Sequence, residues 1–170
     1  MQRKLSLTAQ EKLEHKFGDL YSLLCNEIWL RMAAHATLSN KGSETAGIDH
    51  MTKSNLLGDY DGHIACLRAS LKAKTFEPVP VRRVYIPKPY SDKKRPLGIP
   101  VLYDRIVQEA LRMILEPIWE ADCSTHSHGF RPNRSTYDAM MYMGKRLTGN
   151  GSTYQWIIEG DIASYFDPAC

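Results

Sequence analysis

The sequence predicts an α+β fold with a mostly helical first part, and three observations carry that prediction. Apolar residues recur at three-or-four spacing in several stretches, as on one face of a helix. A β-branched and aromatic run, V-R-R-V-Y-I-P at 81–87, is followed by the turn-rich P-K-P-Y-S-D-K-K-R-P and then by L-G-I-P, the pattern of a hairpin. A late apolar run, 154–162, reads as one more strand. The order is α, α, ββ, α, α, β, with a layered α/β arrangement as the alternative.

Taken in turn, Thr8 with Glu11 three residues on forms a capping-box pattern and predicts a helix start. Leu13, Phe17, Leu20, Leu24 and Ile28 then make one apolar stripe. The polar stretch 38–47 reads as a loop. A second helix is expected from about Ser54, with Leu57, Tyr60, Ile64, Leu67 and Leu71 on one face, weakened by Gly58 and Gly62. After the hairpin, Asp104 is placed to cap a helix whose Ile106, Ala110, Leu111, Ile114 and Ile118 face one way and which Pro117 should kink or end. Residues 121–134 read as an ordered loop. Ser135 with Asp138 offers another capping box, for a helix to about Leu147, and T-G-N-G-S turns into the last strand.

At 170 residues, 43% hydrophobic and 24% charged, the composition is that of a soluble globular chain of one domain or of part of a larger one. No apolar run approaches the ~20 residues of a membrane-spanning helix, and the basic N-terminus lacks the apolar core of a secretory signal. A non-secretory location without a membrane partner is therefore expected. Cys25, Cys66, Cys123 and Cys170 show no ligand spacing and read as reduced thiols. The charge of +3 is unevenly spread: residues 80–112 carry eight Lys/Arg against three Asp/Glu, whereas residues 113–170 carry four against seven. This suggests a polyanion-binding surface beside a cation-binding one, with a chance imbalance as the plain alternative.

Three stretches bear on chemistry. A strand ending in Asp161 would present a carboxylate at a sheet rim, the oxygen donor that hard divalent cations prefer. In the hairpin, Arg82 and Arg83 lie on the first strand, Lys88, Lys93 and Lys94 in the turn, and Arg95 at the start of the return. Such a tip suits a triphosphate or a nucleic-acid backbone; the plainer reading is a solvated turn whose lysines discourage edge aggregation. In S-H-G-F-R-P-N-R-S, 127–135, Phe130 either stacks on a base, with the arginines on phosphates, or anchors the loop in the core. The anchor is favoured, and Arg131 is left open between phosphate and an acid such as Asp122.

The stretches A-G-I-D, V-R-R-V-Y-I-P-K-P, K-R-P-L-G-I-P-V-L-Y-D-R-I-V-Q-E-A, L-E-P-I-W-E, H-G-F-R-P-N-R-S and G-D-I-A-S-Y-F-D occur in this order. Together they closely resemble the N-terminal half of group II intron-encoded reverse transcriptases, or maturases, from about Gly47 to Asp167. The resemblance implies a right-hand polymerase: residues 1–45 an N-terminal helical extension, 46–150 the fingers, 151–170 the start of the palm. It implies RNA-directed DNA polymerase (nucleotidyltransferase) chemistry on dNTP, RNA template and DNA primer, with Mg²⁺ in the complete enzyme and group II intron RNA as partner. Asp161 matches the first catalytic aspartate and metal ligand, with the Ile162 carbonyl as a backbone ligand. Phe166 matches the aromatic gate against a 2′-hydroxyl. Lys88 and Arg95 match residues that contact the incoming triphosphate. Arg82, Arg83, Lys93, Lys94, Arg131 and Arg134 are the expected nucleic-acid contacts, and Asp167 is expected to be scaffolding.

The sequence departs from the family pattern in two ways. His50 and Asn133 stand where GIDG and GFRPGR carry glycine, which bears on turn geometry. The box with paired aspartates, the thumb and the DNA-targeting domains have no counterpart in these 170 residues, and no two acids are adjacent anywhere. One carboxylate cannot hold two metals, so the chain is expected to be a fragment inactive by itself. The alternatives are a non-catalytic RNA-binding, splicing-assisting module or one half of a split enzyme whose C-terminal partner completes the palm. An unrelated metal-dependent phosphotransferase would need a second carboxylate beside Asp161.

Overall fold

A computed structural model describes residues 1–11, 15–87, 89–90, 92, 94–148 and 156–162. The chain divides into two compact units, Met1–Asp122 and Cys123–Cys170. Helices and a single two-stranded antiparallel hairpin among the described residues make an α+β arrangement.

The first unit is organised around a long helix. Helices α1 (Gln2–Glu11), α2 (Leu20–Leu24) and α3 (Glu27–Ser39) precede a 3₁₀ turn at Lys41–Glu44 and helices α4 (Lys53–Gly58) and α5 (Tyr60–Ala73). The hairpin, β1 (Arg82–Pro87) and β2 (Lys94–Ile99), then leads into α6 (Leu102–Asp122). Leu102, Ile106, Ala110, Met113 and Ile114 form the buried stripe of α6. It joins Leu30, Ala33 and Ala34 of α3, Leu56 of α4, and Ile64, Leu67 and Leu71 of α5 in one core. Small residues at 33, 34 and 110 let the helices approach, and each fully buried leucine or isoleucine contributes about 1.5–3 kcal/mol. Trp29 packs there too and donates its indole N–H to the Ala110 carbonyl at 3.1 Å, as a buried indole must find an acceptor.

Several local expectations are corrected. The first helix begins at Gln2, because the Lys4 and Leu5 amides already close a turn onto the Met1 carbonyl; Thr8 sits in mid-helix. The stripe from 17 to 28 is not one helix. Asp19 is left-handed (φ 56°), and Asn26 caps α3 by accepting from the Trp29 amide at 3.3 Å. Leu24 is consequently buried and Ile28 exposed, while Leu13 lies outside the described residues. The second expected helix is broken at Asp59, whose side chain caps α5 by accepting from Gly62 N at 3.1 Å; Leu56 is buried in place of Leu57. Leu111, expected on the buried face of α6, is exposed.

Pro117 neither ends nor interrupts α6, which runs on to Asp122. A proline removes the amide that would bond the carbonyl four residues earlier, here that of Met113. Gln2 supplies the donor instead, its Nε2 lying 3.0 Å from Met113 O.

In the second unit, turns lead to α7 (Thr136–Leu147). Its start is the expected capping box: Ser135 Oγ accepts from the Asp138 amide, and the Asp138 carboxylate accepts from Ser135 N at 2.8 Å. No residue of α7 is buried. The strand expected over 154–162 is absent from its described part, 156–162, which has no regular structure and is exposed throughout. Apolar residues alone do not make a strand; it needs a neighbour's backbone to complete its hydrogen bonds.

Candidate nucleic-acid interface

The hairpin pairs Arg82 with Ile99, Arg83 with Gly98, Val84 with Leu97, Tyr85 with Pro96, Ile86 with Arg95 and Pro87 with Lys94. Directly opposed residues share a face and successive residues alternate, so the register sorts the cations. Arg82 and Arg95 lie on one face, at either end of a strip of Val84, Ile86 and Leu97. Arg83 and Lys94 lie on the other, with Tyr85 between prolines 87 and 96. Apart from half-buried Arg82 and Ile99, every residue of the two strands is exposed. A hairpin exposed on both faces has little intrinsic stability, so its attachment to the helices matters.

That attachment is made where the motifs of the sequence meet. Asp104, in the first turn of α6, is 4% exposed, and its Oδ2 accepts from the Val79 amide at 3.0 Å, just before β1. It does not cap α6 as expected; its carboxylate is turned to the strand leg instead. Arg105 beside it donates from Nε to the Pro100 carbonyl at 2.8 Å, just after β2. The two terminal nitrogens of Arg105 donate to the carbonyls of Gly42 and Thr45, each at 2.7 Å. Burial lowers the pKa of this guanidinium, with Asp49 opposing the shift and the nearby charge of Arg82 adding to it. Gly47, in A-G-I-D, packs so closely on Val101 that a Cβ there would lie 2.8 Å from the Val101 Cα. Thus A-G-I-D, the hairpin legs and L-Y-D-R meet at one junction. The roles of Asp104 and Arg105 at this junction, and the place of Tyr85 between the hairpin's prolines, were not read from the sequence. Adjacency of two charged residues just after the return strand was the available signal.

The two departures from glycine both fall at left-handed residues: His50 has φ 57° and Asn133 φ 56°. The sequence pattern therefore reported a real backbone requirement, met here by non-glycine side chains. Phe130, expected as a core anchor, is fully exposed and also left-handed (φ 55°). The loop is braced by Arg131, which donates to the carbonyls of Ser124 (2.5 Å) and Ser127 (2.8 Å). Arginine satisfies the loop's backbone and leaves the ring outside. Arg134 is exposed close to Asp138. On α7, Tyr142 meets His126 with ring centroids 4.9 Å apart and has the Arg146 guanidinium 5.1 Å from its ring centre.

Asp161 and Ile162 are exposed, and Asp161 Oδ1 accepts from the Ile162 amide at 2.9 Å. Among the described residues no group of three or more His, Cys, Asp or Glu side chains is placed to hold a metal ion. By themselves the Asp161 carboxylate and the Ile162 carbonyl do not make up a Mg²⁺ centre, which needs further oxygen donors in octahedral array. Lys88, Lys93, Phe166 and Asp167 lie outside the described residues. No described helix is long and apolar enough to cross a membrane.

No protein-family model matches the chain. It is 46% identical over 168 residues to Protein YkfC of Escherichia coli K12, covering 98% of this chain and 44% of that protein. It is 40% identical over 164 residues to the Group II intron-encoded protein LtrA of Lactococcus lactis, covering 96% of this chain and 26% of that one. A shorter stretch of 68 residues, 40% of this chain and 9% of its counterpart, is 40% identical to Nuclear intron maturase 1, mitochondrial, of Arabidopsis thaliana. The chain thus spans less than half the length of each of these relatives.

Proposed function

From the premise that this chain is a homologue of group II intron-encoded proteins, maturases among them, we propose that it supplies the RNA-gripping fingers and the opening of the palm of an intron reverse transcriptase. Residues 1–45 are its helical extension, 46–150 the fingers and 151–170 the start of the palm. The observation that carries this reading is the two-faced basic hairpin, held on the helical core by its two legs yet open on both sides.

The register suggests a division of labour. Arg83 and Lys94, flanking Tyr85, suit a nucleic-acid backbone with a base stacked on the ring. Arg95 suits the phosphates of an incoming dNTP as a planar, bidentate donor, and Lys88 is proposed as a mobile charge for the same phosphates. Arg82 and Lys93 add to the field of the hairpin, and Arg131 and Arg134 are the proposed polyanion contacts of the second unit. RNA template, DNA primer and intron RNA are the proposed polyanions. Phe166 is the proposed sugar gate. A ring at that place would exclude a 2′-hydroxyl by contact.

Chemistry is the part these 170 residues do not complete. Asp161 and the Ile162 carbonyl are proposed as this chain's share of a Mg²⁺ centre whose other carboxylates come from elsewhere in the palm. The reading that follows is of a polypeptide that binds RNA and does not polymerise alone, either within a longer enzyme or as one half of a split one. Primer extension on an RNA template separates these possibilities. The 170 residues alone should give no product, and adding a C-terminal polypeptide with the paired-aspartate box should restore it. Extension by the 170 residues alone would overturn the proposal. RNA binding without restored extension would favour the splicing-assisting module.

A further inference from the structure

We propose that Asp104 and Arg105 are the positioning residues of the basic hairpin, a neighbouring pair that fixes both of its legs to one turn of α6. The inference rests on the reading of the hairpin as the polyanion-binding element, and it adds the part that aims it.

The geometry is specific. Asp104 holds the incoming leg through Val79 N at 3.0 Å, three residues before Arg82. Arg105 holds the outgoing leg through Pro100 O at 2.8 Å, one residue after Ile99. The same guanidinium ties the outgoing leg to Gly42 O and Thr45 O, so two segments remote from each other in sequence, 42–45 and the outgoing leg, share one planar group. The strands themselves are exposed on both faces and borrow almost no burial from the helices. Position at the tip is therefore set at the legs, because a hairpin held at one leg only can swing about it.

Chemistry explains the residue types. Arginine is required because three carbonyls at different angles need a fork of fixed N–H directions, which a lysine ammonium does not provide. Aspartate stands here although its Oδ1 finds no hydrogen-bond partner among the described residues. An orphaned buried oxygen of this kind costs on the order of 1–3 kcal/mol. Such a cost is tolerated more readily where the other oxygen has a task in placing a functional element than where stability alone is served.

Hydrogen exchange and RNA binding on the same variants test this. Arg105→Lys keeps the charge and removes the fork; Asp104→Ala removes the acceptor; Asp104→Asn keeps an acceptor oxygen. Arg105→Lys and Asp104→Ala should lower protection of the hairpin amides about tenfold while those at the centre of α6 change by less than about twofold. Affinity for a single-stranded RNA oligonucleotide should fall about three- to tenfold. Asp104→Asn should recover most of both. Equal loss of protection in the hairpin and α6 would mean a merely structural role and overturn the proposal, as would hairpin protection equal to that of the unsubstituted chain. If the hairpin loosens as described but the unsubstituted chain binds no RNA, the clamp stands and the nucleic-acid reading fails.

Discussion

Gln2 donates its side-chain amide to the carbonyl of Met113, 111 residues away, at 3.0 Å, and that carbonyl is the one Pro117 leaves without a helical donor. The first helix is thereby fastened to the longest one at the point where a proline would otherwise weaken it.

Replacing Gln2 by alanine should therefore cost about 1 kcal/mol, the usual net value of a hydrogen bond whose loss strands its partner. The cost should shrink in a Pro117→Ala background, where an amide at 117 can bond the Met113 carbonyl from within the helix. Urea unfolding of the two single variants and the double variant measures the coupling; equal cost in both backgrounds would refute the link.

The left-handed residues give a second prediction. His50 occupies a conformation that costs a side chain with a Cβ roughly 1–2 kcal/mol, so His50→Gly should raise stability by up to about 1 kcal/mol after the glycine's added unfolded-state entropy. Asn133→Gly should change little, since asparagine tolerates this region through its own local hydrogen bonds.

These positions also show what the sequence carries. The hairpin was legible because strand and turn chemistry are local, and α7 because its capping box spans only four residues. The breaks at Asp19 and Asp59 were missed: apolar spacing continues across them while the backbone changes direction. Pro117 misled because its rescue comes from Gln2, which no local pattern reveals. Phe130 was assigned to the core by its ring alone; Arg131 braces the loop and leaves the ring in solvent. The run at 156–162 has strand composition, but pairing depends on a partner that composition does not name. Within the interface, the cations were visible and their sorting onto two faces was not, because it depends on register.

Gly47→Ala should destabilise the first unit by about 2 kcal/mol, as overpacking against a backbone atom does. A Cβ at 47 would sit 2.8 Å from Val101 Cα, which cannot rotate away. A thermal melt checks this, and an unchanged midpoint would mean the two segments separate freely.

Asp138 predicts a pH dependence. The hydroxyl and amide of Ser135 both donate to its carboxylate and hold its pKa below the usual value. A folded-state pKa lower than the unfolded one, about 3.9, adds stability that is present above that unfolded value. It is lost as pH falls through the folded pKa. The start of α7 should consequently loosen in acid, and Asp138→Asn should abolish that part of the acid response. Following the Ser135 and Asp138 amides by NMR between pH 6 and 2, a range of about four units around that pKa, reads it directly.

The central claim is that the hairpin grips RNA through its cations, and the salt dependence of binding tests it most directly. Affinity for a single-stranded RNA should fall steeply as salt rises, and replacing Arg83, Lys94 and Arg95 by glutamine should reduce the log–log slope by up to about 2, at roughly 0.7 per phosphate contact. Binding that ignores salt, or a slope unchanged by the triple replacement, would contradict the account.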